Sequence, residues 1–490
     1  MAKLQTSRHS TPAPAVDRLE ELYAKAASAL AAALDRYLDT RVPPSPEARS
    51  KFRYPILRVI YRSEKRFRSP ALRAFAKLQR PGVYETTVTH PRAFRGYLLE
   101  QLGPLVSEYG ADIETGVSTQ EIPYPYVIER AGEIAGANVS AGELASHFPT
   151  PRLSAVGDEV VDGLWERKEG EPYPLALFDA VRTDFSLRRL VHYTGSDWRH
   201  IQRWILLTNY HRYVDQFLRW GSEQLNRGGA FDRLVLPGDV IIRREHSPGE
   251  AEAFMASSQW HRYQMPAYHL TADGDAGVTL INIGVGPSNA KNITDHLAVL
   301  RPNCWLMVGH CAGLRDSQAI GDYVLAHAYL RQDRILDDLI PLSVPIPALA
   351  EVQVALQKAA AAVTGHDGDA LKQRLRTGTV VTNEDRNWEL RFRQERKRIN
   401  LSRAVAVDME SGTIAAQGFR LRVPYGTLLC VSDKPLHGEI KLPGAASSFY
   451  ETAVAQHLKI GLAALDLLKG SRDSLHSRKL RSFDEPPFRC

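Results

Sequence analysis

Apolar and polar positions divide this chain into two parts with different patterns. In the first part, an Ala- and Leu-rich helical stripe over Ala15–Leu38 precedes two apolar runs, Arg53–Tyr61 and Val83–Thr89, that are typical of strands. From residue 186 onward, short apolar runs alternate with helical patterns, which is typical of a mostly parallel, twisted sheet flanked by helices. We therefore predict an N-terminal α+β domain over residues 1–185 and an α/β domain over residues 186–490.

Several shorter runs complete this interpretation. Tyr126–Glu129 reads as a short strand of the first part. In the second part, Trp204–Thr208 reads as a strand that leads into a helix over Tyr213–Leu225, and Asp232–Ile242 reads as a single strand.

The most informative pattern lies near the C-terminus. Two apolar runs, Ala404–Val407 and Tyr425–Val431, read as buried parallel strands, and the small, apolar segment Ser411–Phe419 between them reads as a crossover helix. We expect these three segments to form one β-α-β unit.

Acidic side chains follow both of these runs. Asp408 and Glu410 come after the first run, and Asp433 comes after the second. Because open α/β sheets bind ligands at the carboxyl ends of their strands, Glu410 and Asp433, with Met409 beside Glu410, are candidate ligand contacts. A solvent-facing position explains Asp408 equally well.

Glycines follow two further apolar runs. One run leads into Gly-Val-Gly-Pro-Ser-Asn and a helix, where a backbone could approach a ligand and the helix N-terminus would favour an anion. The other leads into Gly-His-Cys-Ala-Gly. A tight structural turn explains the first pattern equally well. The candidate loop residues are Gly284, Gly286, Ser288, Gly309, His310 and Gly313.

Composition restricts the class of protein. The 44% hydrophobic and 24% charged residues are ordinary for a globular chain. A net charge of +6 over 490 residues is mild: it is more typical of an ordinary surface than of nucleic-acid binding, and it would also suit a phosphorylated small substrate. The four cysteines show no disulfide or zinc spacing, which fits a reducing cytosol. The N-terminus lacks a signal-peptide core, and no apolar run reaches the ~20 residues of a membrane helix. We therefore expect a cytoplasmic protein that binds neither nucleic acid nor membrane.

Five motifs in order carry a resemblance to a known superfamily. They are Gly284–Asn289, Gly309–Gly313, Gly321–Val324, Val407–Glu410 and Ser432-Asp433. The chain resembles the nucleoside phosphorylase and nucleosidase superfamily over roughly residues 195–470, and five ordered motifs are more specific than any one of them. The resemblance implies cleavage of an N-glycosidic bond.

Within this superfamily the chain most resembles the AMP nucleosidases. The resemblance rests on the long N-terminal part and on the amino-acid sequences of three segments, Thr208–Asp215, Arg386–Leu390 and Val431–Glu439. It implies hydrolysis of AMP to adenine and ribose 5-phosphate by a homo-oligomer, expected to be a hexamer, without a metal in the chemistry. It also implies MgATP as an allosteric activator and phosphate as an inhibitor, with the N-terminal domain as the candidate regulatory part.

The resemblance also implies roles for the acidic residues. Asp433 would protonate the purine at N7, Glu410 would accept hydrogen bonds from the ribose hydroxyls, and Met409 would pack against the sugar. A protonated Asp at neutral pH requires a pKa roughly three units above its usual ~3.9, a bias of ~4 kcal/mol that burial would have to supply. Because adjacent side chains of an extended segment face opposite ways, we expect the Lys434 cation to point away from Asp433.

The remaining substrate contacts are expected around the other motifs. Arg212 and Tyr210 would bind the 5′-phosphate, with Arg315 as a weaker candidate. Trp388 would stack on the base, although Asn383 or Asp385 could line the base site instead.

The residue that activates water stays open. Where simple nucleosidases carry a Glu, this chain reads His-Arg-Tyr-Val-Asp, so His211, Asp215 and Glu410 are all candidates. His310 stands where phosphorylases carry a Ser or Thr hydroxyl, which favours water over inorganic phosphate as the nucleophile. The alternatives to an AMP hydrolase are a purine nucleoside phosphorylase and a non-catalytic AMP-sensing module.

Overall fold

The computed structural model describes residues 6–62, 78, 80–128, 139–439, 447–472 and 475. Two compact units divide the chain between Arg188 and Arg189, close to the point where the sequence pattern changes.

The strands are numbered in chain order. They are β1 (Thr6–His9), β2 (Arg53–Tyr61), β3 (Gly82–Thr87), β4 (Asp112–Glu121), β5 (Tyr173–Pro174), β6 (Trp204–Thr208), β7 (Phe231–Leu236), β8 (Val240–Arg243), β9 (Ala267–Ala272), β10 (Val278–Asn282), β11 (Cys304–Gly313), β12 (Tyr323–Gln332), β13 (Leu375–Asn383), β14 (Ala406–Asp408) and β15 (Tyr425–Asp433).

The α-helices are numbered in the same way. They are α1 (Pro12–Thr40), α2 (Pro46–Arg49), α3 (Arg95–Ser107), α4 (Ala141–His147), α5 (Glu159–Asp162), α6 (Ala180–Thr194), α7 (Arg212–Arg227), α8 (Pro248–Ser257), α9 (Pro287–Leu297), α10 (Ala350–Thr364), α11 (Gly368–Arg374), α12 (Phe392–Ser402), α13 (Ser411–Leu421) and α14 (Ser447–Gly470).

The N-terminal unit is built on a five-stranded sheet in the order β1-β4-β2-β3-β5. Helix α1 packs on this sheet because its apolar stripe, including Val16 and Leu19, meets Leu57 and Val59 of β2. The strand prediction at Tyr126 is wrong. Tyr124–Tyr126 is a single 3₁₀ turn, since the proline between the two tyrosines fixes its backbone and has no amide to donate to a sheet. Residues 129–138 lie outside the described residues.

The C-terminal unit is built on a ten-stranded sheet in the order β14-β13-β12-β15-β11-β6-β10-β9-β7-β8. Five pairings between the described strands are parallel and five are antiparallel. The α/β class is confirmed, and the sheet is mixed rather than mostly parallel. The antiparallel strands β9, β7 and β8 extend one side, and the predicted single strand Asp232–Ile242 is a hairpin that turns at Gly238 and Asp239, both with positive φ.

The central strands are covered on both faces. All five residues of β6 are buried, as are the first eight residues of β15. Helices α7, α10 and α14 contribute side chains to the large core on one side of the sheet, and α9 packs against α13. A sheet that is buried on both faces explains why these strands read as unbroken apolar runs.

The two strands of the C-terminal motif do not run parallel to each other. Strand β14 is antiparallel to β11, and β11 is parallel to β15. The pairing of β14 with β11 closes the strands β11, β15, β12, β13 and β14 into a ring. Within this ring Val407 and Asp433 both pair with Ala312, so the acidic ends of β14 and β15 meet on the two sides of β11.

Candidate active site

Glu410 lies between β14 and α13 and joins three segments of the chain. Its side chain is 0% exposed. One carboxylate oxygen, Oε1, accepts a hydrogen bond from the backbone N of Gly286 at 2.6 Å, and Oε2 accepts one from Nδ2 of Asn209 at 2.8 Å. Burial, followed by the neighbouring Asp408 carboxyl, raises the pKa of Glu410, and the two hydrogen bonds act in the opposite direction.

Asn209 is a site residue that the sequence analysis missed. It follows β6 directly, and while its Nδ2 donates to Glu410, its Oδ1 accepts a hydrogen bond from the backbone N of His310 at 3.2 Å. The available signal was its position, since a polar residue directly after a buried, mostly apolar strand lies where ligands bind in α/β sheets.

Asp408 is buried and has a structural role. Its Oδ1 accepts a hydrogen bond from the Thr382 hydroxyl at 2.7 Å, and its Oδ2 accepts from the backbone N of Ser411 at 2.8 Å and from the Ser411 hydroxyl. The solvent-facing interpretation of Asp408 is therefore wrong. The carboxylate holds the first residue of α13, the helix that begins directly after Glu410, and burial raises the pKa of Asp408.

Asp433 ends β15 and is only partly buried. Its Oδ1 accepts a hydrogen bond from the Ser432 hydroxyl at 2.5 Å. The Nζ of Lys434 donates to Glu439 at 2.6 Å and to the carbonyl oxygen of Asp316 at 3.2 Å. The expectation that Lys434 points away from Asp433 is confirmed.

The first glycine loop contacts the protein's own carboxylate. Gly284 and Gly286 have φ values of 66° and 121°, which favour glycine, and Gly286 is the last residue before α9. Its amide donates to Glu410, so the N-terminus of α9 faces a carboxylate, as expected from the preference of helix N-termini for anions. Ser288 lies exposed in the first turn of α9.

The second glycine motif allows close packing within β11. A Cβ at Gly309 would lie 2.5 Å from Oδ1 of Asn209, and a Cβ at Gly313 would lie 2.9 Å from a Val431 side-chain carbon. His310, which directly follows Gly309, lies with its ring centroid 4.7 Å from that of Tyr210. Close packing, rather than positive φ, therefore explains the glycines of this motif.

The phosphate-binding candidates lie at the start of α7 and beyond β11. Arg212 is the first residue of α7, and its guanidinium carbon is 5.7 Å from the centroid of the exposed Tyr210 ring. The structure therefore places Arg212 and Tyr210 together beside His310. Arg315 lies two residues past the end of β11, where its backbone amide donates to Oε1 of Gln318 at 2.8 Å.

The base-binding candidates lie mostly within packed structure. Trp388 is 5% exposed and packs in a cluster that includes Val381 and Val407. Asn383 is also buried, and its Oδ1 accepts a hydrogen bond from the backbone N of Asp385 at 2.8 Å. The packing supports structural roles for both side chains, and their contact with a base stays a prediction.

The candidates for activating water other than Glu410 lie at the start of α7, where His211 directly precedes the helix and Asp215 lies in its first turn. Nε2 of His211 is 3.8 Å from Oδ1 of Asp215, and the His211 ring stacks on Trp260 with a centroid distance of 4.2 Å. Asp215 is exposed. Among the residues that the structure describes, no three His, Cys, Asp or Glu side chains come together in a group that could hold a metal ion.

Comparisons with known proteins extend over both units. The family model described as "Bacterial AMP nucleoside phosphorylase N-terminus" matches residues 14–172, and the "Phosphorylase superfamily" model matches residues 246–466. The chain is 55% identical to the AMP nucleosidases of Escherichia coli K12 and of Escherichia coli O157:H7 over 484 residues, which is 98% of each chain.

A solved structure also matches the chain in part. The crystal structure of AMP nucleosidase from Bacteroides thetaiotaomicron VPI-5482 is 27% identical and covers 59% of this chain and 98% of its own, with a TM-score of 0.43. In the described part of the present chain, no helix is both long and apolar enough to span a bilayer.

Proposed function

Because the chain belongs to the AMP nucleosidase family, we propose that it hydrolyses the N-glycosidic bond of AMP to give adenine and ribose 5-phosphate. The observation that carries this proposal is 55% identity over 98% of the chain, which includes both units and every segment of the site. The chain is accordingly an N-glycosyl hydrolase. The acidic side chains of Glu410 and Asp433, which follow or end the two strands that pair with the last part of β11, suit this reaction.

The reaction needs help at both ends of the bond that breaks. Positive charge develops on the ribose and negative charge on the departing purine, so an acid near the base and a carboxylate near the sugar both stabilise the transition state. We propose that Asp433 protonates the purine and that Glu410 binds the ribose hydroxyls, with Met409 against the sugar. General acid catalysis of this kind contributes typically about 10²–10⁴-fold in rate.

The strand pairings support these two positions. Asp433 pairs with Ala312 of β11, and Glu410 connects through Asn209 to the backbone of His310, two residues earlier on the same strand. A nucleoside over this stretch of β11 could therefore have its base near Asp433 and its sugar near Glu410.

We further propose the contacts of the other parts of AMP. The pairing of Arg212 with Tyr210 supports a 5′-phosphate site at the start of α7, to which Arg315 could add a charge. Trp388 or Asn383 would line the site that binds the base. His211, Asp215 and Glu410 stay the three candidates for the base that activates water.

Membership of the family supports three proposals about the whole protein. We propose that it forms a homohexamer, that it acts in the cytoplasm, and that MgATP activates it while phosphate inhibits it. Sedimentation of the purified chain tests the first proposal, and the rate of adenine release at increasing MgATP concentrations tests the last.

Product analysis tests the reaction itself. Purified protein is incubated with AMP in the absence and presence of inorganic phosphate, and the sugar product is identified. We expect adenine and ribose 5-phosphate under both conditions. A sugar product that carries a phosphate at C1, and that forms only with inorganic phosphate, would instead identify a phosphorylase. AMP binding without adenine release would identify a sensing module.

A further inference from the structure

The side chain of Asn209 links the strand that it follows to two other parts of the site. Its amide nitrogen donates to Oε2 of Glu410 at 2.8 Å, and its amide oxygen accepts from the backbone N of His310 at 3.2 Å. The orientation of the amide is therefore fixed from both ends. An amide that is held in this way presents its N–H, and not its oxygen, to the carboxylate.

The two partners of the Glu410 carboxylate differ in how firmly they are held. Asn209 lies against β11 so closely that a Cβ at Gly309 would be 2.5 Å from its Oδ1. Gly286 lies instead in a surface loop, between Val285, which is 38% exposed, and the start of α9. The Asn209 bond thus comes from a residue that packs against β11 at the end of β6, and the Gly286 bond comes from the loop before α9.

This difference matters because Glu410 is fully buried. A carboxylate has about four acceptor sites, so the bonds from Asn209 and Gly286 leave sites for the ribose hydroxyls. The orientation of these sites depends on Asn209, because its amide cannot turn without losing its bond to the β11 backbone.

We propose that Asn209 is a positioning residue for this reaction, which holds the Glu410 carboxylate in the orientation that accepts hydrogen bonds from the ribose hydroxyls. This inference rests on the proposed function. Asn209 acts through Glu410 and does not itself take part in breaking the bond. The rival explanation is that Asn209 only ends β6 and ties it to β11.

Two substitutions at residue 209 separate these explanations. Asn209→Ala removes both hydrogen bonds. Asn209→Asp keeps the shape and the acceptor for His310, but it replaces the donor to Glu410 by a like charge. Asn226→Ala, at the exposed last turn of α7, is the matched control and should leave activity unchanged. Thermal unfolding of each variant confirms that it is folded.

The first readout is kcat/KM for AMP and for its 2′-deoxy and 3′-deoxy analogues. We expect Asn209→Ala to lower kcat/KM for AMP by about 10- to 100-fold, the usual effect of losing a hydrogen bond to a charged group. The loss should shrink to less than about threefold on the analogue that lacks the hydroxyl bound by Glu410. In a Glu410→Gln background, the Asn209 substitution should likewise add less than about threefold, because the two residues act as a unit.

The second readout is the pH dependence of kcat/KM. Asp408 is the acidic neighbour that raises the pKa of Glu410, and the Asn209 hydrogen bond lowers it. If the ionised carboxylate binds ribose, activity falls as the pH drops through this pKa. Asn209→Ala should therefore move the acid limb to higher pH, and Asn209→Asp should move it further.

The outcomes are distinct. Equal losses on AMP and both deoxy analogues, full additivity with Glu410→Gln, or an unmoved acid limb would each assign Asn209 a purely structural role and overturn the inference. A folded wild-type protein that releases no adenine from AMP would overturn the proposed function, and this inference with it.

Discussion

Gly309→Ala is a small substitution with a large expected effect. The added Cβ would lie 2.5 Å from Oδ1 and 3.0 Å from Cγ of Asn209, and 2.6 Å from Cε of Met307. The methionine side chain can bend away, but the asparagine amide is bonded at both ends. Restoring normal contact distances requires Asn209 to move by about 1 Å.

The displacement of Asn209 determines how large the expected loss of activity is. It would lengthen the 2.8 Å bond between Asn209 and Glu410 beyond hydrogen-bond range. We expect the free energy of unfolding to fall by about 1–3 kcal/mol from overpacking, and kcat/KM for AMP to fall by about 10- to 100-fold from loss of a hydrogen bond to a carboxylate.

The assay combines denaturant unfolding with steady-state release of adenine. Gly249→Ala is the matched control, because a Cβ there meets nothing within 4 Å. In an Asn209→Ala background, Gly309→Ala should lower activity no further and should cost less stability, since the clashing amide is gone. Wild-type stability and activity in Gly309→Ala would refute the reasoning, as would an undiminished effect in the Asn209→Ala background.

Three other substitutions test separate parts of the account. Arg212→Ala should lower the ratio of kcat/KM for AMP to kcat/KM for adenosine by about 10- to 100-fold, because only AMP offers a phosphate. Equal losses of kcat/KM on both substrates would show that Arg212 does not bind the phosphate. Gln417→Ala removes a 2.5 Å hydrogen bond from α13 to Asp295 of α9 and should lower the free energy of unfolding by about 1–3 kcal/mol; unchanged stability would show that this link is unimportant. Burial raises the pKa of Asp184 in the N-terminal unit to about 7. Above about pH 4 the unfolded chain releases this proton while the folded protein keeps it, so the free energy of unfolding should fall as the pH rises from about 4 to 7. Asp184→Asn should flatten that part of the thermal unfolding profile, and an unchanged slope would contradict this assignment.

Local patterns were sufficient to predict the elements that hold the site. The apolar runs before Asp408 and Asp433 are strands, and the segment between them is a helix. The direction of Lys434 also followed from local geometry, because side chains alternate along an extended segment. Both acidic candidates, Glu410 and Asp433, were found from their positions after strands.

Contacts between distant segments could not be predicted in this way. The pairing of β14 with β11 depends on how the ring of strands closes, and it reverses the expected direction of β14. The sequence leaves a ligand loop and a tight turn equally open for Gly286, and its hydrogen-bond partner in the structure lies 124 residues later in the sequence. Asn209 lies within the segment Thr208–Asp215, but nothing in that segment indicates the partner of its amide, and only the position of Glu410 shows it.

The central claim is that Asp433 donates a proton to the departing purine. The most direct test compares Asp433→Asn with wild type on AMP and on 4-nitrophenyl β-D-ribofuranoside 5-phosphate, whose leaving group departs as a stable phenolate without protonation. We expect Asp433→Asn to slow cleavage of AMP by about 10²–10⁴-fold and cleavage of the nitrophenyl substrate by less than about tenfold. An equal loss on both substrates, or unimpaired cleavage of AMP, would contradict the account.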